Sequence, residues 1–583
     1  MYHYGNALAN VTMSQAGNPT LRQCRIHDSR RSGVLVYESG RGIIEDCNIY
    51  GNRMAGVEVL TGGQPTVRQC RIHDHEAHNG IYVHERGAGT FEDCDIFNNV
   101  YAGVTITHGG NPTIARCRIY DGKRSGVYVH QNGMGTLDSC AIYGNALAGV
   151  NISKGGNPTL RGCQIYEGNH VGVVFRSSGA GTLEQCAIYR NALAGIGIGQ
   201  DSDPLIRQCR IYDGKDAGIV MSKNGQGVIE DCEIFGNTLV GIRISEGANP
   251  VVRQCQIHDG KDAGIIIEQN GAGTVEECHI FANVLAGVRI IEGSNPVIWW
   301  CHIYDGGNDG IQVADNATGS IEDCTIFGNA LAGIRLSKGG NPIVRRCKIH
   351  DGQQDGVVIT DHGEGIVEDC DIFGNGSSEA HAAIVIEQRS VPVIRRCQIH
   401  DNQSKGIWIR DQGRGTVEDC DIFANNHSEV LMSHEGHPIM RRCQIHESKI
   451  SGVVVWDNGA GTLETCDIYG HTEAGIVIRR GGRPLIRRCQ IHHGRSSGVL
   501  VTEHGQGTIG ACDIFENEGP GVEISLGGNP MIRQSRMNRN AEQGISIHSD
   551  GGGTIEYCDL TANGSGAWYI EEGCPVNRNG NKT

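Results

Sequence analysis

Three residues that could do acid–base chemistry recur at one fixed spacing near the middle of the C-terminal half. Asp411, His434 and Asp457 follow one another at steps of 23 residues. If each step is one turn of a strand stack, the two carboxylates lie about 9.6 Å apart, which is two strand spacings. That separation is near the upper limit for the carboxyl pair of an inverting glycosidase, and His434 could act as a general base.

The same column also fits a purely structural role. At earlier repeats it holds Asp315, Lys338 and Asp361, so its charge alternates along the chain. Trp408 and Trp456 should project from the same sheet, and Arg410 is adjacent. Three hypotheses therefore stay open for this region: an alternating ladder of charges, a binding patch, and a catalytic site.

Two further sets of aromatic residues are candidates for binding. Trp299 and Trp300 replace an arginine and its neighbour, and we place them on the middle strand of their coil with at least one ring exposed. Such a pair could mark a partner surface or pack against a turn. A stripe of flat, amphipathic rings suited to sugar or peptide binding is predicted on outward positions of the early coils: Tyr37, Tyr82, His84, Tyr128 and His130. The structural alternative is that tyrosine simply favours strands.

The elements that position these residues follow from the spacing of cysteine. Cys24, Cys47 and Cys70 begin a series that runs to Cys558 in steps of 23 residues, except for one step of 24, one of 27 and a slot occupied by Ser535. A period of this length is typical of a solenoid, in which each repeat buries its apolar face against its neighbours.

Each repeat carries three short stretches of apolar alternation separated by Gly, Asn, Asp and Ser, which indicates three short strands. We therefore predict an all-β, single-stranded, right-handed parallel β-helix of about 24 coils of 23 residues, paired into units of 46. The pairing is visible two residues before each cysteine, where Arg22, Glu45 and Arg68 alternate in sign. In a parallel, in-register stack this alternation replaces repulsion with ion pairs and fixes the register.

The cysteines are predicted to point inward as reduced thiols. Stacked side chains about 4.8 Å apart do not converge as a disulfide requires, and a single file does not supply four converging ligands for zinc. We expect no metal site and no cofactor. Buried free thiols are typical of a reducing compartment, so we expect a cytoplasmic protein.

Composition narrows the range of partners. The net charge of −16 argues against nucleic-acid binding. No run of 18 apolar residues is present, so we expect no membrane span, and no signal peptide is visible at the N-terminus.

The sequence of the repeat, for example GNPTLRGCQIYEGNHVGVV and GRGTVEDCDIFAN, resembles CASH-type repeats of the pectate-lyase-like β-helix superfamily. It is most similar to the β-helix of the F-box-only ubiquitin-ligase receptors and to related bacterial repeat proteins. The resemblance implies the fold, whereas the catalytic motifs of the polygalacturonase-like and pectate-lyase-like enzymes are not found here. No F-box segment is visible either.

The predicted domains are a β-helix over residues 1–564 and a C-terminal cap and tail over 565–583. We expect the open N-terminal end to be covered by a partner, by a missing domain or by a second copy, since uncovered strand edges associate. The leading hypothesis is a non-catalytic scaffold that recognises protein or peptide partners. The alternatives are a polysaccharide-binding or polysaccharide-active protein (a lyase, epimerase or hydrolase) and a self-assembling filament unit.

Overall fold

The computed structural model describes residues 2–3 and 9–583, and these residues form only strands and turns. No helix among them is long and apolar enough to cross a membrane. The chain divides into two compact units, unit 1 over Met1–Leu285 and unit 2 over Ala286–Thr583. Each unit is a parallel β-solenoid with about 23 residues per turn, as predicted from the cysteine spacing.

Each turn contributes one strand to each of three parallel sheets. Sheet 1 holds the strands that precede the cysteines, sheet 2 those that follow them, and sheet 3 those that follow the recurrent glycine of each turn. Between strands the chain turns sharply, and residues such as Asp46 and Gln69 take positive φ angles there. Because the strands are short and the turns are rich in Gly, Asn and Asp, the chain changes direction every few residues.

The strands of unit 1 are as follows. Sheet 1 contains Thr20–Arg22, Arg41–Glu45, Gln64–Arg68, Thr90–Glu92, Thr113–Ala115, Thr136–Asp138, Thr159–Arg161, Ala180–Glu184, Asp203–Arg207, Val228–Glu230, Val251–Arg253 and Thr274–Glu276. Sheet 2 contains Tyr2–His3, Arg25–His27, Asn48–Tyr50, Arg71–His73, Asp95–Phe97, Arg118–Tyr120, Ala141–Tyr143, Gln164–Tyr166, Ala187–Tyr189, Arg210–Tyr212, Glu233–Phe235, Gln256–His258 and His279–Phe281. Sheet 3 contains Ala9–Met13, Ser32–Val36, Val57–Val59, Ile81–Val83, Val104–Ile106, Val127–Val129, Val150–Ser153, Val173–Arg176, Ile196–Ile198, Ile219–Met221, Ile242–Ile244 and Ile265–Ile267.

The strands of unit 2 repeat the same order. Sheet 1 contains Val297–Trp299, Ser320–Glu322, Ile343–Arg345, Ile366–Glu368, Val393–Arg395, Thr416–Glu418, Ile439–Arg441, Thr462–Glu464, Leu485–Arg487, Thr508–Gly510, Met531–Arg533, Gly553–Glu556 and Val576–Asn579. Sheet 2 contains His302–Tyr304, Thr325–Phe327, Lys348–His350, Asp371–Phe373, Gln398–His400, Asp421–Phe423, Gln444–His446, Asp467–Tyr469, Gln490–His492, Asp513–Phe515 and Arg536–Asn538. Sheet 3 contains Val288–Ile290, Ile311–Val313, Ile334–Leu336, Val357–Ile359, Ala382–Ile386, Lys405–Ile409, Val430–Met432, Val453–Val455, Ile476–Ile478, Val499–Val501, Val522–Ile524, Ile545–Ile547 and Trp568–Ile570.

The core of each unit is a set of single-residue columns. In sheet 2 the middle residue of each strand points inward, and Ile26, Ile49 and Ile72 lie in register and are fully buried. Each inward side chain therefore packs on the same residue type of the next turn, which is how a repeat too small for its own core becomes stable.

The cysteines form another inward column. All 24 are free, and all but Cys24 and Cys574 are buried. The Cys47 thiol donates to the carbonyl of Glu45 over 3.2 Å, and the Cys47 amide lies 3.4 Å from the sulfur of Cys70. Burial raises the pKa of the Cys558 thiol, and protonated, buried thiols of this kind behave as small apolar side chains.

The alternating charges before the cysteines pair as the register requires. Arg22 and Arg68 lie on either side of Glu45 at 2.6 and 3.0 Å, and Arg161 and Arg207 flank Glu184 in the same way. The arginine side chains of these pairs are 40–64% exposed, so each pair contributes little to stability. Their main effect is on register, because a shift by one turn would place like charges together.

A stack of aromatic rings runs along the outer side of sheet 2 within each unit, and sequence reasoning missed it. In unit 1 consecutive rings lie 4.5–5.5 Å apart and nearly parallel: His27, Tyr50, His73, Phe97, Tyr120, Tyr143, Tyr166, Tyr189, Tyr212, Phe235, His258 and Phe281. Unit 2 contains a second stack from Tyr304 to Phe515. The stack is predictable from the sequence, since the third residue after almost every cysteine is His, Tyr or Phe.

The segment predicted as a C-terminal cap and tail, 565–583, contains two strands that pair with the preceding coil. Trp568–Ile570 pairs in parallel with Ile545–Ile547, and Val576–Asn579 pairs with Gly553–Glu556. Lys582 bridges to Asp559 in the same register. The segment keeps the apolar alternation and turn residues of a coil, so it adds to the stack although its cysteine spacing has changed. At the other end, residues 1 and 4–8 lie outside the described residues, and the predicted contact between copies there stays a prediction.

Candidate functional site

A cleft of about 460 Å³ lies on the outer side of sheet 3 in unit 2. It is formed by outward side chains of that sheet and by the turns that precede its strands. Both predicted tryptophans, Trp408 and Trp456, line it. We refer to this cavity as the tryptophan cleft.

The floor of the tryptophan cleft is apolar. Leu431, Val454 and Val477 occupy successive outward positions of sheet 3 and are only 5%, 7% and 8% exposed, because the two indoles pack against them. Outward positions on other turns carry polar residues such as Arg243 or Arg335. The outward positions of the flanking turns are apolar too, at Val358, Val385 and Leu500, so the cleft floor is the middle of a longer apolar run on the solvent side of sheet 3.

Trp408 is held rigidly at one side of the cleft. It is the outward residue of Lys405–Ile409, and its indole Nε1 donates to Ser433 Oγ over 3.0 Å. The Arg410 guanidinium lies 4.1 Å from the ring centroid and is itself bonded to Glu387 at 2.7 Å. The ring is thus fixed by a hydrogen bond at its edge and by a cation over its face.

Trp456 is held differently. Its indole Nε1 is buried and has no hydrogen-bond partner among the described residues. Arg479 lies 5.3 Å from the ring centroid, and the His434 ring meets the indole edge-on at 6.5 Å. A buried indole N–H normally finds an acceptor, so Trp456 presents an unmet donor at this site.

The long repeat supplies one wall. Four additional residues between Cys370 and Cys397 lengthen the turn before Ala382–Ile386 and bring Glu379 to the cleft. The ammonium of Lys405, a buried side chain, donates to the main-chain carbonyl of Glu379 and lies 4.7 Å from the Trp408 ring centroid. Burial lowers the pKa of Lys405.

The remaining rim is polar. Glu473 accepts a hydrogen bond of 3.0 Å from Ser451 Oγ. His427 lies 3.1 Å from Ser428 Oγ, and burial lowers the pKa of this histidine. The cleft therefore combines an apolar floor and aromatic sides with a few polar groups at its edge, which is the composition of a small-molecule site.

The predicted column Asp411, His434 and Asp457 does not enter the tryptophan cleft. It lines a separate, shallow depression. His434 Nε2 lies 2.9 Å from Asp457, with both side chains nearly half exposed (48% and 46%), and Asp411 contacts Arg410 at 3.7 Å. The same column pairs Lys338 with Asp315. The geometry is that of an exposed ladder of ion pairs.

The tryptophan pair lies away from the cleft. Trp299 ends the sheet 1 strand Val297–Trp299 and Trp300 lies in the bend that follows, so neither is on the middle strand of the coil, His302–Tyr304. Their rings stack at 4.6 Å, and Trp300 is 50% exposed. Neither residue lines the tryptophan cleft.

The predicted Tyr/His stripe is broken into pairs. Tyr82 stacks on His84 at 4.2 Å, and Tyr128 stacks on His130 at the same distance. His84 is tied to Glu58 at 3.2 Å. Neighbouring rings of one coil thus cover each other, and Tyr128 lines a second, smaller cavity in unit 1. Tyr37 lines neither cavity.

Sequence reasoning missed most of the cleft. Lys405, Glu379, His427, Glu473 and Arg479 were not singled out. The run of apolar outward residues at Leu431, Val454 and Val477 was a readable signal, but the turns that form the walls were not, because their side-chain directions depend on the irregular coils. No group of three or more His, Cys, Asp or Glu in the described part of the chain is arranged to hold a metal ion.

Comparison with known proteins identifies the family. The model described as "Right handed beta helix region" matches residues 9–165, 102–244, 148–299, 223–340, 300–428 and 428–582. The chain therefore belongs to the right-handed β-helix family. No curated protein matches it significantly.

Several solved structures are similar in part. A point mutant of the periplasmic alginate epimerase AlgG is 11% identical, with 56% of this chain and 74% of that chain covered and a TM-score of 0.34. Pectate lyase Pel9A is 12% identical over 44% and 67%, with a TM-score of 0.28. The catalytic domain of a GH87 α-1,3-glucanase is 12% identical over 51% and 59%, with a TM-score of 0.30.

Proposed function

We propose that this β-helix protein binds a carbohydrate chain in the tryptophan cleft. The observation that carries the proposal is the pairing of two rigid indoles with an apolar floor, where the Nε1 donor of Trp456 has no acceptor among the described residues. A sugar ring offers a C–H face that packs on aromatic and aliphatic surfaces, and its hydroxyls supply acceptors.

The rim groups suit hydroxyl recognition. Glu379 and Glu473 supply acceptor oxygens, whereas Lys405 and Arg479 supply donors. The cleft is open to solvent at its edge, so a chain can continue beyond the ring that it holds. The proposal is binding and assigns no catalytic residue, because Asp411, His434 and Asp457 lie in an exposed ion-pair ladder outside the cleft.

The test is an oligosaccharide titration followed by tryptophan fluorescence and calorimetry. Oligomers of alginate, pectate and α-1,3-glucan, each about four to six sugars long, serve as probes. We expect saturable binding of at least one. Trp456→Ala should weaken it at least tenfold, which corresponds to about 1.4 kcal/mol, within the range for loss of an aromatic contact.

Two further variants keep the result interpretable. Trp456→Phe retains a ring against Val454 but removes the indole N–H, and should lose part of the affinity without loss of fold. Trp300→Ala removes an exposed tryptophan outside the cleft and should leave binding unchanged. Binding that survives Trp456→Ala, or that falls equally in Trp300→Ala, would show that the cleft is not the site. The hypothesis of a protein or peptide partner stays a prediction.

A further inference from the structure

The smaller cavity in unit 1 has a different chemistry from the tryptophan cleft. It measures about 190 Å³ and lies against the outer side of sheet 3, beside Val127–Val129 and Val150–Ser153. At about 30 Å³ per water in the liquid, it holds roughly six waters or a molecule of similar size. Its walls include the rings of Tyr101 and Tyr128.

The cavity is positively charged in a protein whose net charge is −16. Arg124 and Arg176 line it, and no aspartate or glutamate does. The Arg124 guanidinium lies 4.8 Å from the centroid of the Tyr101 ring. Within residues 2–3 and 9–583 neither arginine forms an ion pair, unlike Arg161 or Arg207 in the neighbouring sheet.

The residues that line this cavity also include Asn151, which carries a buried acceptor. Asn151 lies opposite Tyr128 in the sheet, is 9% exposed, and its Oδ1 has no hydrogen-bond partner in the described part of the chain. The other amide of the cavity is satisfied, because Asn79 Oδ1 accepts from the amide of Ala102 and from Thr105 Oγ1. A buried, unmet acceptor costs free energy unless something donates to it.

We propose that this cavity binds a small hydroxylated organic anion. Its carboxylate or phosphate pairs with Arg124 and Arg176, since guanidinium groups match the oxygens of both anions. Its hydroxyl donates to Asn151 Oδ1, and its carbon skeleton packs against Tyr128. The two arginines account for the anion, and the unmet Asn151 accounts for the hydroxyl.

Calorimetry on the full chain at low salt tests the proposal with four probes. Glycerate and glycerol 3-phosphate carry both the anion and the hydroxyl. Glycerol lacks the anion, and propionate lacks the hydroxyl. We expect glycerate or glycerol 3-phosphate to bind at least tenfold more tightly than glycerol and propionate, and the tighter of the two identifies the anion.

Variants locate the site. Arg124→Gln and Arg176→Gln should each weaken binding of the preferred anion at least tenfold. Lys123→Gln removes the same charge from an exposed neighbour that does not line the cavity, and should change binding less than twofold. Asn151→Ala should remove the preference for glycerate over propionate.

The outcomes that overturn the proposal are equally concrete. They are no heat with either anion, equal affinity for glycerol and glycerate, or equal weakening by Lys123→Gln and Arg124→Gln. Both arginines are exposed, so their substitution leaves the core intact, and thermal unfolding of each variant checks this. The result is independent of the tryptophan cleft, whose variants serve as further controls.

Discussion

At the scale of single residues, a column that includes many buried asparagines runs through the turns before sheet 3, one residue per turn. Its hydrogen bonds explain which residues can replace an asparagine of the column. In unit 2 the amide of Asn375 donates to Asn402, and that of Asn402 donates to Asn425. The next turn has Ser448 in this slot, so Asn425 has no asparagine to donate to. Glu429 replaces the usual glycine and supplies the acceptor at 3.1 Å.

Burial of Glu429 gives the first prediction. Burial raises the pKa of this carboxyl from 4.5 to about 8, so the folded protein holds a proton that the unfolded chain releases. The stability should therefore fall as pH rises from about 4.5 to about 8. Glu429→Gln keeps the acceptor but does not titrate, so denaturant unfolding of this variant should lack that decline. A decline of equal slope in both proteins would contradict the assignment.

The second prediction concerns the stability of the folded protein at acid pH. His471 occupies the same column, accepts from the amide of Ser448 at 3.2 Å, and burial lowers the pKa of this histidine from 6.5 to about 3. Since the unfolded chain takes up a proton first, stability should fall as pH decreases from about 6.5 towards 3. His471→Asn restores the asparagine found on other turns and should reduce this loss.

An exposed histidine provides the matched control for His471. His504→Asn changes the same residue type at the surface and should leave the loss of stability at acid pH unchanged. The free energy of unfolding is measured with urea at several pH values. If it falls equally between about pH 6.5 and 3 in the wild type and in His471→Asn, this imidazole does not limit stability at acid pH.

At the scale of elements, the irregular coils build the tryptophan cleft on an otherwise regular surface. The sequence marks the region by its 27-residue step and by the missing Ala-Gly turn near Glu429. The strands on either side keep their register, because Val357–Ile359 pairs with Ala382–Ile386 without a shift. The extra residues are thus accommodated in the turn, where they form a wall.

The third prediction follows from that wall. Deletion of residues 377–380 restores a 23-residue step and removes Glu379, whose carbonyl holds Lys405. The deletion variant should fold, since surface turns tolerate changes in length, but should lose at least tenfold in carbohydrate affinity. Circular dichroism and the oligosaccharide titration measure the two effects separately. Undiminished affinity in a folded variant would exclude this turn from the site.

The sequence predicts the repeat-based features better than the site. The cysteine period predicts strands, register and inward thiols, because each depends on a pattern repeated many times, as with Arg22, Glu45 and Arg68. The tryptophan cleft depends on single departures such as Lys405 and Glu379. Their positions follow from turn geometry that no repeat specifies, so the prediction found Trp408 and Trp456 but assigned Asp411 and His434 to the same patch.

At the scale of the whole molecule, each unit derives its stability from contacts between neighbouring turns. Inward isoleucines, thiols and stacked rings repeat along each unit, so stability is a sum of similar nearest-neighbour terms. The interior is filled by the isoleucine and cysteine columns, and recognition is left to the outward side chains. Every proposal above therefore depends on the cysteines facing inward.

Thiol counting with Ellman's reagent tests that arrangement most directly. In the native protein, prepared without reductant, at most about two thiols should react with the reagent within minutes, because only Cys24 and Cys574 are not buried. After denaturation in guanidinium all 24 cysteines should react. Rapid reaction of most thiols in the native protein, or a denatured count well below 24, would contradict the inward file of reduced cysteines and the surfaces derived from it.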